Sequence, residues 1–154
     1  LYDRQGTART TKTGGILMLK FLLDTNICIF AMKNKPEHIR RQFQLHYGQL
    51  CISSVVYMEL VYGAEKSSRV TENLEKIEGF AARLDVSDYD ANAAAHTGQI
   101  RAELEKSGKT IGAYDLMIAG HARSQGLILV SNNVREFERV SGLRLEDWTR
   151  QATD

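Results

Sequence analysis

The sequence predicts an α/β protein in which a central parallel sheet is flanked by helices. Short apolar runs at 19–23, 50–53 and 127–130 have the length and composition of buried strands. Longer segments with helical spacing of their apolar residues separate these runs. Strands that alternate with helices typically form parallel sheets whose faces the helices cover, so the pattern favours this fold class.

Capping residues mark where the helices of the first half begin. Thr25 or Asn26 can cap a helix after the first strand, and Ser53 or Ser54 can cap the helix after the second. Pro36 fits the first turn of a helix between them, because its missing N–H has no intrahelical acceptor there anyway. The predicted elements are a strand at 19–23, helices at 27–33 and 37–45, a strand at 50–53, helices at 55–66 and 70–83, and a strand at 84–86.

Glycines end the two long helices predicted in the second half. Asp88 caps the first of these helices and Gly108 ends it, while Gly126 ends the second. Small residues in the first helix permit close approach of a neighbouring element, and they are Ala91, Ala94, Ala95 and Gly98. The predicted elements are helices at 91–106 and 114–124, a strand at 127–130, a short helix at 134–140 and a strand-like piece at 143–148.

Bulk composition limits the function classes that fit. The chain has 154 residues, of which 43% are apolar and 25% charged, and this suits one globular domain. The net charge is +1, so any binding of nucleic acid must rest on local basic patches and cations. Cys28 and Cys51 lack zinc-site spacing and are predicted to be buried, and the four histidines to be structural or exposed. No segment approaches the ~20 apolar residues of a membrane span, and we expect a cytoplasmic protein.

We expect one folded domain with short additions at its ends. Residues 1–17 are polar and are interpreted as a disordered extension or a non-native remnant, with Met18 as the natural start. Residues 18–150 form the domain, and residues 151–154 are a flexible C-terminus.

Three acidic residues occupy positions that burial alone does not favour. Asp24 directly follows the first apolar strand, at the end where open α/β sheets have their ligand sites. Glu59 lies near the buried face of its apolar helix, and Asp115 lies in the first turn of another. Taken singly, Asp24 can be a turn or cap residue, Glu59 a boundary residue and Asp115 a partner of the helix dipole. Their occurrence together in one α/β pattern favours a shared site.

A shared site of this kind predicts a divalent cation. Clustered carboxylates beside a core repel one another and are costly to bury, and a bound cation relieves both effects. Carboxylate oxygens suit Mg²⁺ or Mn²⁺, which also accept phosphate oxygens. Such a metal lowers the pKa of water and neutralises charge that develops on a phosphodiester. The acids therefore predict metal-dependent phosphodiester hydrolysis.

Other polar residues are candidates for the same edge of the sheet. Asn26, Ser131, Asn132 and Asn133 follow predicted strands, and their amide and hydroxyl groups can position water or phosphate; an ordinary loop that caps the next helix is an equal alternative at 131–133. For contact with a phosphodiester backbone, the best stretch is 33–41, which is either a phosphate-binding patch or a solvated helix face. Its basic residues are Lys33, Lys35, Arg40 and Arg41. Tyr57 and Tyr62 can stack bases or pack, and we expect packing.

Three segments together resemble a known family. LLDTNICIF, ISSVVYMELVYGAEKS and YDLMIAGHARSQGLILVSNNVREFERVSGLRLEDW, in this order, are similar to the PIN-domain toxins of bacterial VapBC type II toxin–antitoxin systems. The resemblance runs from about Met18 to Trp148. It implies a PIN-like three-layer α/β/α sandwich with an acidic, Mg²⁺- or Mn²⁺-dependent endoribonuclease site. By this resemblance Asp24, Glu59 and Asp115 fall on the family's three principal acidic positions.

The chain departs from the family pattern at a fourth acid. Many PIN domains carry an Asp in the loop where this chain has Asn132 and Asn133. This departure leaves three carboxylates and weakens the case for a tightly bound second metal. Glu136 is a candidate for the extra charge, but we do not count it among the predicted ligands.

The resemblance also implies partners, a substrate and a reaction. It implies a VapB-type antitoxin that blocks the site, a homodimer, and cleavage of structured RNA, with the anticodon loop of initiator tRNA as the expected target, so that translation stops. Asp24 and Asp115 would hold the cation, and Glu59 would complete its shell or orient the attacking water. Because water attacks, the products should carry a 5′-phosphate and a 3′-hydroxyl.

Two alternatives stay open on the sequence. One is a PIN-like module that binds RNA or a partner without cleaving it, and the other is an RNA-processing or DNA nuclease of the same fold. A phosphatase that forms an aspartyl-phosphate is disfavoured, because Asn26 stands where its second Asp is required.

Overall fold

A computed structural model describes residues 8–10 and 16–150 of the chain. Its strands are β1 (Ala8–Thr10), β2 (Ile16–Met18), β3 (Phe21–Leu23), β4 (Leu50–Ser53), β5 (Asp85–Ser87), β6 (Ile128–Val130) and β7 (Leu145–Glu146). Its helices are α1 (Thr25–Met32), α2 (Glu37–Leu45), α3 (Ser54–Glu65), α4 (Val70–Ala81), α5 (Ala91–Lys106), α6 (Ala113–Ser124) and α7 (Val134–Phe137).

The central sheet has the strand order β5-β4-β3-β6-β7, and all of its pairings are parallel. Leu22 in the middle strand is fully buried and pairs with Cys51 on one side and Leu129 on the other. Connections between parallel strands are right-handed, so the helices that precede β4 and β5 cover one face and those that precede β6 and β7 cover the other. The predicted α/β class with a parallel sheet between two helical layers is confirmed. Cys28 and Cys51 are both buried, as predicted.

Two helix caps differ from the predicted ones. Asp24 caps α1, and its carboxylate accepts a hydrogen bond from the Ile27 amide at 3.0 Å, so neither Thr25 nor Asn26 is the cap. Asp90, rather than Asp88, caps α5. Both caps have the extended backbone that an N-cap requires, and this depends on where the preceding segment ends.

The other predicted helix starts agree more closely with the structure. Ser53 caps α3 as predicted, and its hydroxyl accepts from the Val55 amide. Pro36 lies immediately before α2 instead of in its first turn.

Several element boundaries are shifted. The first strand of the sheet begins at Phe21, two residues later than predicted, and β5 is shifted by one residue towards the C-terminus. Helix α7 ends at Phe137 instead of residue 140, and β7 has two residues instead of six. Val140 and Trp148 are nevertheless buried, so their apolar side chains serve the core from irregular segments.

Helices α5 and α6 approach each other closely, but not through the predicted residues. A Cβ atom placed on Gly120 of α6 would lie 2.0 Å from the Thr97 Oγ1 and 2.7 Å from the Thr97 backbone nitrogen. The small residues predicted to allow close approach are exposed instead, and they are Ala91, Ala94, Ala95 and Gly98. The close contact therefore depends on one glycine of the partner helix.

The ends of the chain are described only in part. Strands β1 and β2 pair with each other in an antiparallel ladder, and the described residues place neither of them in the five-stranded sheet. The rest of the predicted extension and the predicted flexible C-terminus, residues 1–7, 11–15 and 151–154, lie outside the described residues. The predicted division of the chain stays a prediction. None of the described helices has both the length and the apolar character needed to cross a bilayer.

Candidate active site

The candidate site lies where the strand order of the sheet reverses direction. From β3 the chain adds β4 and β5 on one side, and later β6 and β7 on the other. Asp24 follows β3 and Ser131 follows β6, and the Asp24 amide donates to the Val130 carbonyl at 3.0 Å. Open α/β sheets bind ligands at this crevice, outside the carboxyl ends of the strands.

Asp24 is held in a buried position by its neighbours. It is only 6% exposed, and its carboxylate accepts hydrogen bonds from the Ile27 amide and the Ser131 hydroxyl. Burial raises the pKa of Asp24 from 3.8 to about 6, while these two hydrogen bonds lower it and the charges of Glu59 and Asp147 raise it. The carboxylate is thus oriented by hydrogen bonds, while no cation among residues 16–150 forms an ion pair with it.

Glu59 reaches the site from α3. The Thr25 Oγ1 donates a hydrogen bond to the Glu59 Oε1 at 2.8 Å. Thr25 belongs to the first turn of α1, so this bond ties the helix after β3 to the helix after β4. It directs one Glu59 oxygen towards the end of α1 that carries Asp24.

Asp115 completes the set of predicted acids. It lies half-buried in the first turn of α6, and burial, the hydrogen bond and charge of Glu136, and the charges of Asp24 and Glu59 raise its pKa to about 7. The structure therefore brings the three predicted acids within electrostatic reach of one another.

Glu136 is a fourth acid, predicted from the sequence only as a candidate for extra charge. Its carboxylate shares a hydrogen bond with Asp115. Its Oε2 also accepts from the Asn133 Nδ2 at 2.6 Å. The sequence signal for Glu136 is its place in the short helix that follows β6.

Positive charge does not balance these acids. Among the ion pairs of the described residues, none includes Asp24, Glu59, Asp115 or Glu136. In the described part of the chain, the side chains as they stand form no group of three His, Cys, Asp or Glu residues that could hold a metal ion. The fit to a divalent cation therefore lies in the chemistry of the donors, which are hard oxygens with uncompensated charge.

Comparisons with known proteins decide which family this site belongs to. The PIN-domain model matches residues 21–143. Over 132 residues, 86% of this chain and 100% of the relative, the chain is 66% identical to a Shigella flexneri protein named tRNA(fMet)-specific endonuclease VapC. It is 54% identical over 131 residues to Ribonuclease VapC2 of Haemophilus influenzae, covering 85% of this chain and 99% of the relative. The chain belongs to the VapC family of PIN-domain ribonucleases. Nucleases of the PIN family generally depend on a divalent metal.

Solved structures of VapC-family complexes have the same fold. The structure of DNA-bound VapBC from Salmonella typhimurium superposes with a TM-score of 0.82 at 62% identity, covering 85% of this chain and 99% of that one. VapBC2 from Rickettsia felis, bound to a DNA fragment from its promoter, gives 0.80 at 38% identity, covering 84% and 99%. The PIN-like three-layer fold expected for this VapC-family chain is confirmed.

Asp147 is an acid near the VapC-family site that was not predicted from the sequence. It follows β7, the neighbour of β6, and its charge contributes to the raised pKa of Asp24. Its Oδ1 accepts from the Thr149 amide at 2.8 Å, and its Oδ2 lies 3.5 Å from the Arg150 Nε. The sequence placed Asp147 inside a strand-like piece at 143–148, so the strand end that precedes it in the structure gave no signal.

The polar residues predicted to assist the VapC-family site divide into two groups. Ser131 is fully buried and bonds Asp24, and Asn133 bonds Glu136, so both lie against the acids. Asn26 and Asn132 are exposed at its margin.

The predicted RNA contacts of this VapC-family chain are all exposed. Lys33, Lys35, Arg40 and Arg41 have exposed side chains, and the Arg41 guanidinium lies 3.8 Å from the Glu37 carboxylate. The expectation that the tyrosines of α3 pack is wrong, because Tyr57 is 38% and Tyr62 is 61% exposed. The α3 sequence is apolar on nearly every side, so its spacing did not reveal which face is buried.

A buried histidine joins the helices that carry Glu59 and Asp115. His121 of α6 is fully buried, with its Nδ1 2.8 Å from the Ser53 Oγ and its Nε2 3.2 Å from the Ser87 Oγ. Ser53 is the cap of α3, so this contact fixes α3 against α6 beneath the acids. The predicted structural role is consistent with this placement.

Proposed function

We propose that this protein is the toxin of a type II toxin–antitoxin pair and a metal-dependent endoribonuclease that cleaves initiator tRNA. The observation that carries the proposal is the acidic cluster at the point where the strand order reverses. The 66% identity to the Shigella flexneri tRNA(fMet)-specific endonuclease VapC supports the choice of substrate. Cleavage of this tRNA in the cytoplasm would block the start of translation, and the anticodon loop is the proposed target.

The proposed metal ligands are the carboxylates of Asp24, Asp115 and Glu59, with Glu136 as a fourth acid. Their oxygen donors and uncompensated charge fit Mg²⁺ or Mn²⁺. When bound, such a cation acts as a Lewis acid that lowers the pKa of water and stabilises charge on the phosphodiester.

The protein's own groups orient the carboxylates and position the reactants. Ser131 and the Ile27 amide hold the Asp24 carboxylate, and Thr25 holds Glu59 where it completes the ligand set or orients the attacking water. Asn26, Ser131, Asn132 and Asn133 line the edge of the site, and we propose that they position water or phosphate. In-line attack by water leaves a 5′-phosphate and a 3′-hydroxyl.

The related structures also suggest which proteins this chain binds. The related structures are complexes named VapBC, and we propose that a VapB-type antitoxin covers the site and that the toxin forms a homodimer. For the substrate, we propose that the basic segment of Lys33, Lys35, Arg40 and Arg41 follows the phosphate backbone.

Cleavage of purified initiator tRNA by the antitoxin-free protein tests the proposal. We expect discrete fragments with 5′-phosphate ends in Mg²⁺ or Mn²⁺, no fragments in EDTA, and no cleavage by the Asp24→Asn and Asp115→Asn variants. Glu65→Gln, which neutralises an exposed acid of α3, serves as the charge-matched control and should cleave like the wild type. Cyclic 2′,3′-phosphate ends would rule out attack by water. Metal-independent binding without cleavage over a broad RNA panel would favour the non-cleaving module, and cleavage of DNA instead would favour the other nuclease class.

A further inference from the structure

Helix α3 carries a row of side chains that begins at the half-buried Glu59 and continues to the exposed Tyr62 and Lys66. Glu59, Tyr62 and Lys66 are spaced at i, i+3 and i+7, so they lie on one flank of the helix and its end. With a rise of about 1.5 Å per residue, Tyr62 lies about 4.5 Å and Lys66 about 10.5 Å along the axis from Glu59. The row therefore leads directly away from the candidate active site.

The two outer members of this row interact with each other in an exposed position. Tyr62 is 61% exposed, which is unusual for a large aromatic side chain, and the Lys66 ammonium lies 4.9 Å from the centre of its ring. A cation at this distance is attracted by the ring face and limits the motion of the ring. The surface thus offers an aromatic face and a positive charge side by side.

A glycine leaves space beside this pair. Gly63 lies in α3 one turn after Glu59, and a Cβ atom built there would have no neighbour within 4 Å. Neither close packing nor a left-handed backbone accounts for this glycine, although glycine weakens a helix relative to alanine. Because Gly63 has no side chain, the helix surface between Glu59 and Lys66 is open at this position.

We propose that this flank of α3, formed by Glu59, Tyr62, Gly63 and Lys66, binds the single-stranded RNA segment next to the cleaved bond. A base stacks on Tyr62, Lys66 contacts a phosphate, and Gly63 leaves room for the ribose–phosphate backbone. The inference rests on the proposed ribonuclease function and assigns a substrate-binding surface to it. Aromatic rings beside cations are typical of sites for unpaired nucleotides, because every base has a face that can stack.

The chemistry of the row favours RNA over a protein partner. The centres of protein interfaces are depleted in lysine. Here the Lys66 ammonium lies next to the Tyr62 ring, within the candidate surface, which does not suit such an interface. The row is also continuous with Glu59, which the Thr25 hydroxyl holds at the acidic cluster. Met58, one turn before Tyr62, is 40% exposed as well, so the test must also measure the oligomeric state.

RNA binding is measured in EDTA, where cleavage is suppressed, by fluorescence anisotropy with a labelled ten-nucleotide single-stranded RNA and with intact initiator tRNA. We expect Tyr62→Ala to raise Kd about tenfold, in line with the loss of one stacked base, and Tyr62→Phe to keep most of the affinity. Lys66→Gln should lower the slope of log Kd against log salt by about 1, which is the loss of one phosphate contact.

Gly63→Ala separates binding from folding. The added methyl group should raise the Tm by about 2–4 °C, because alanine favours the helix, and yet weaken RNA binding. Gly79→Ala is the matched control, since Gly79 is an exposed glycine of α4 that also has open space around it. It should raise the Tm similarly and leave Kd unchanged.

Wild-type affinity in both Tyr62→Ala and Gly63→Ala would overturn the inference. So would dissociation of a dimer by Tyr62→Ala at unchanged RNA affinity, because the surface would then be a contact between two copies of the chain. The proposed ribonuclease function is judged separately, by metal-dependent cleavage in the wild type and its loss in Asp24→Asn.

Discussion

At the scale of single residues, the acids of the site oppose folding in the absence of a cation. Asp24 is buried and forms no ion pair with any described cation, and its pKa is raised from 3.8 to about 6. A raised pKa means that the ionised form is less favourable in the folded protein than in the unfolded chain, here by about 3 kcal/mol. A loss of stability of this size is typical of functional sites, because the residues that activity requires are often unfavourable for folding.

The first prediction is that Asp24→Asn stabilises the metal-free protein while it abolishes cleavage. Asparagine keeps an oxygen that accepts from the Ile27 amide but carries no charge. At pH 7.5 in EDTA we expect the free energy of unfolding to rise by about 1–3 kcal/mol, as measured by urea denaturation. Asp88→Asn, at an exposed acid, is the control and should change it by less than about 0.5 kcal/mol. A destabilised Asp24→Asn variant would mean that the charge is compensated in the folded protein.

The second prediction concerns how the Tm of the metal-free protein depends on pH. Asp24 and Asp115 have pKa values raised from 3.8 to about 6 and about 7, so the folded protein binds more protons than the unfolded chain between these values. Their contribution to stability is complete below the unfolded pKa and is lost as pH rises through the folded pKa. In EDTA, the Tm should therefore fall between about pH 4.5 and 7.5.

Added Mn²⁺ should reverse this trend, because the cation competes with protons for the same oxygens. The rise in Tm on adding Mn²⁺ should be larger at pH 7.5 than at pH 5, and the double variant Asp24→Asn/Asp115→Asn should show neither effect. A metal-free Tm that climbs over this pH range would contradict the pKa values of both groups.

The sequence could predict the three principal acids because each has a local signal. Asp24 ends an apolar strand, Glu59 interrupts an apolar helix face, and Asp115 opens a helix. Glu136 and Asp147 were harder to place, because what brings them to the site is the position of β6 and β7 beside β3. Strand order in a parallel sheet is a tertiary property that no local spacing contains.

At the scale of elements, helix boundaries were predicted well and the caps less well. A cap residue needs an extended backbone, and whether Asp24 or Thr25 has it depends on where β3 stops. That point is fixed by pairing with β6, through the bond from the Asp24 amide to the Val130 carbonyl. The cap is therefore decided by the neighbouring strand as well as by the sequence next to the helix.

The third prediction tests the contact between α5 and α6. Gly120→Ala places a Cβ atom 2.0 Å from the Thr97 Oγ1, and the Thr97 hydroxyl donates to the Ala93 carbonyl and accepts from the Tyr89 hydroxyl. Because the Thr97 backbone is also in the way, the helices must separate, and we expect a loss of about 1–3 kcal/mol in the free energy of unfolding. Differential scanning calorimetry or urea denaturation measures it.

The matched control for this contact is Gly98→Ala on α5. Gly98 is exposed and has open space around it, so alanine should stabilise the helix by about 0.5–1 kcal/mol. If the two substitutions changed stability alike, the close approach at Gly120 would not be what fixes the two helices.

At the scale of the whole molecule, the five-stranded sheet generates the site. Its order brings the carboxyl ends of β3 and β6 side by side, and the helices after β3, β4 and β6 then supply Thr25, Glu59 and Glu136. Asp115 comes from the helix that leads into β6. All of these elements belong to residues 21–146, so the site should not depend on the first strand pair, β1 and β2.

The fourth prediction is that removal of residues 1–17 leaves stability and cleavage unchanged. Strands β1 and β2 pair with each other, and Met18 at the end of β2 is 52% exposed. We expect the free energy of unfolding to change by less than about 0.5 kcal/mol, and the rate of tRNA cleavage to stay within about twofold of that of the full chain.

Removal of residues 1–20 is the sharper comparison, because it also deletes the buried Leu19 and the backbone of Lys20. The Lys20 amide donates to the Gln49 carbonyl, and the Lys20 carbonyl accepts from the Ile128 amide. That larger deletion should cost at least about 2 kcal/mol, since β3 would lose bonds to both neighbouring segments. If both deletions destabilised the protein equally, residues 1–17 would be part of the folded domain, and the predicted boundary at Met18 would be wrong.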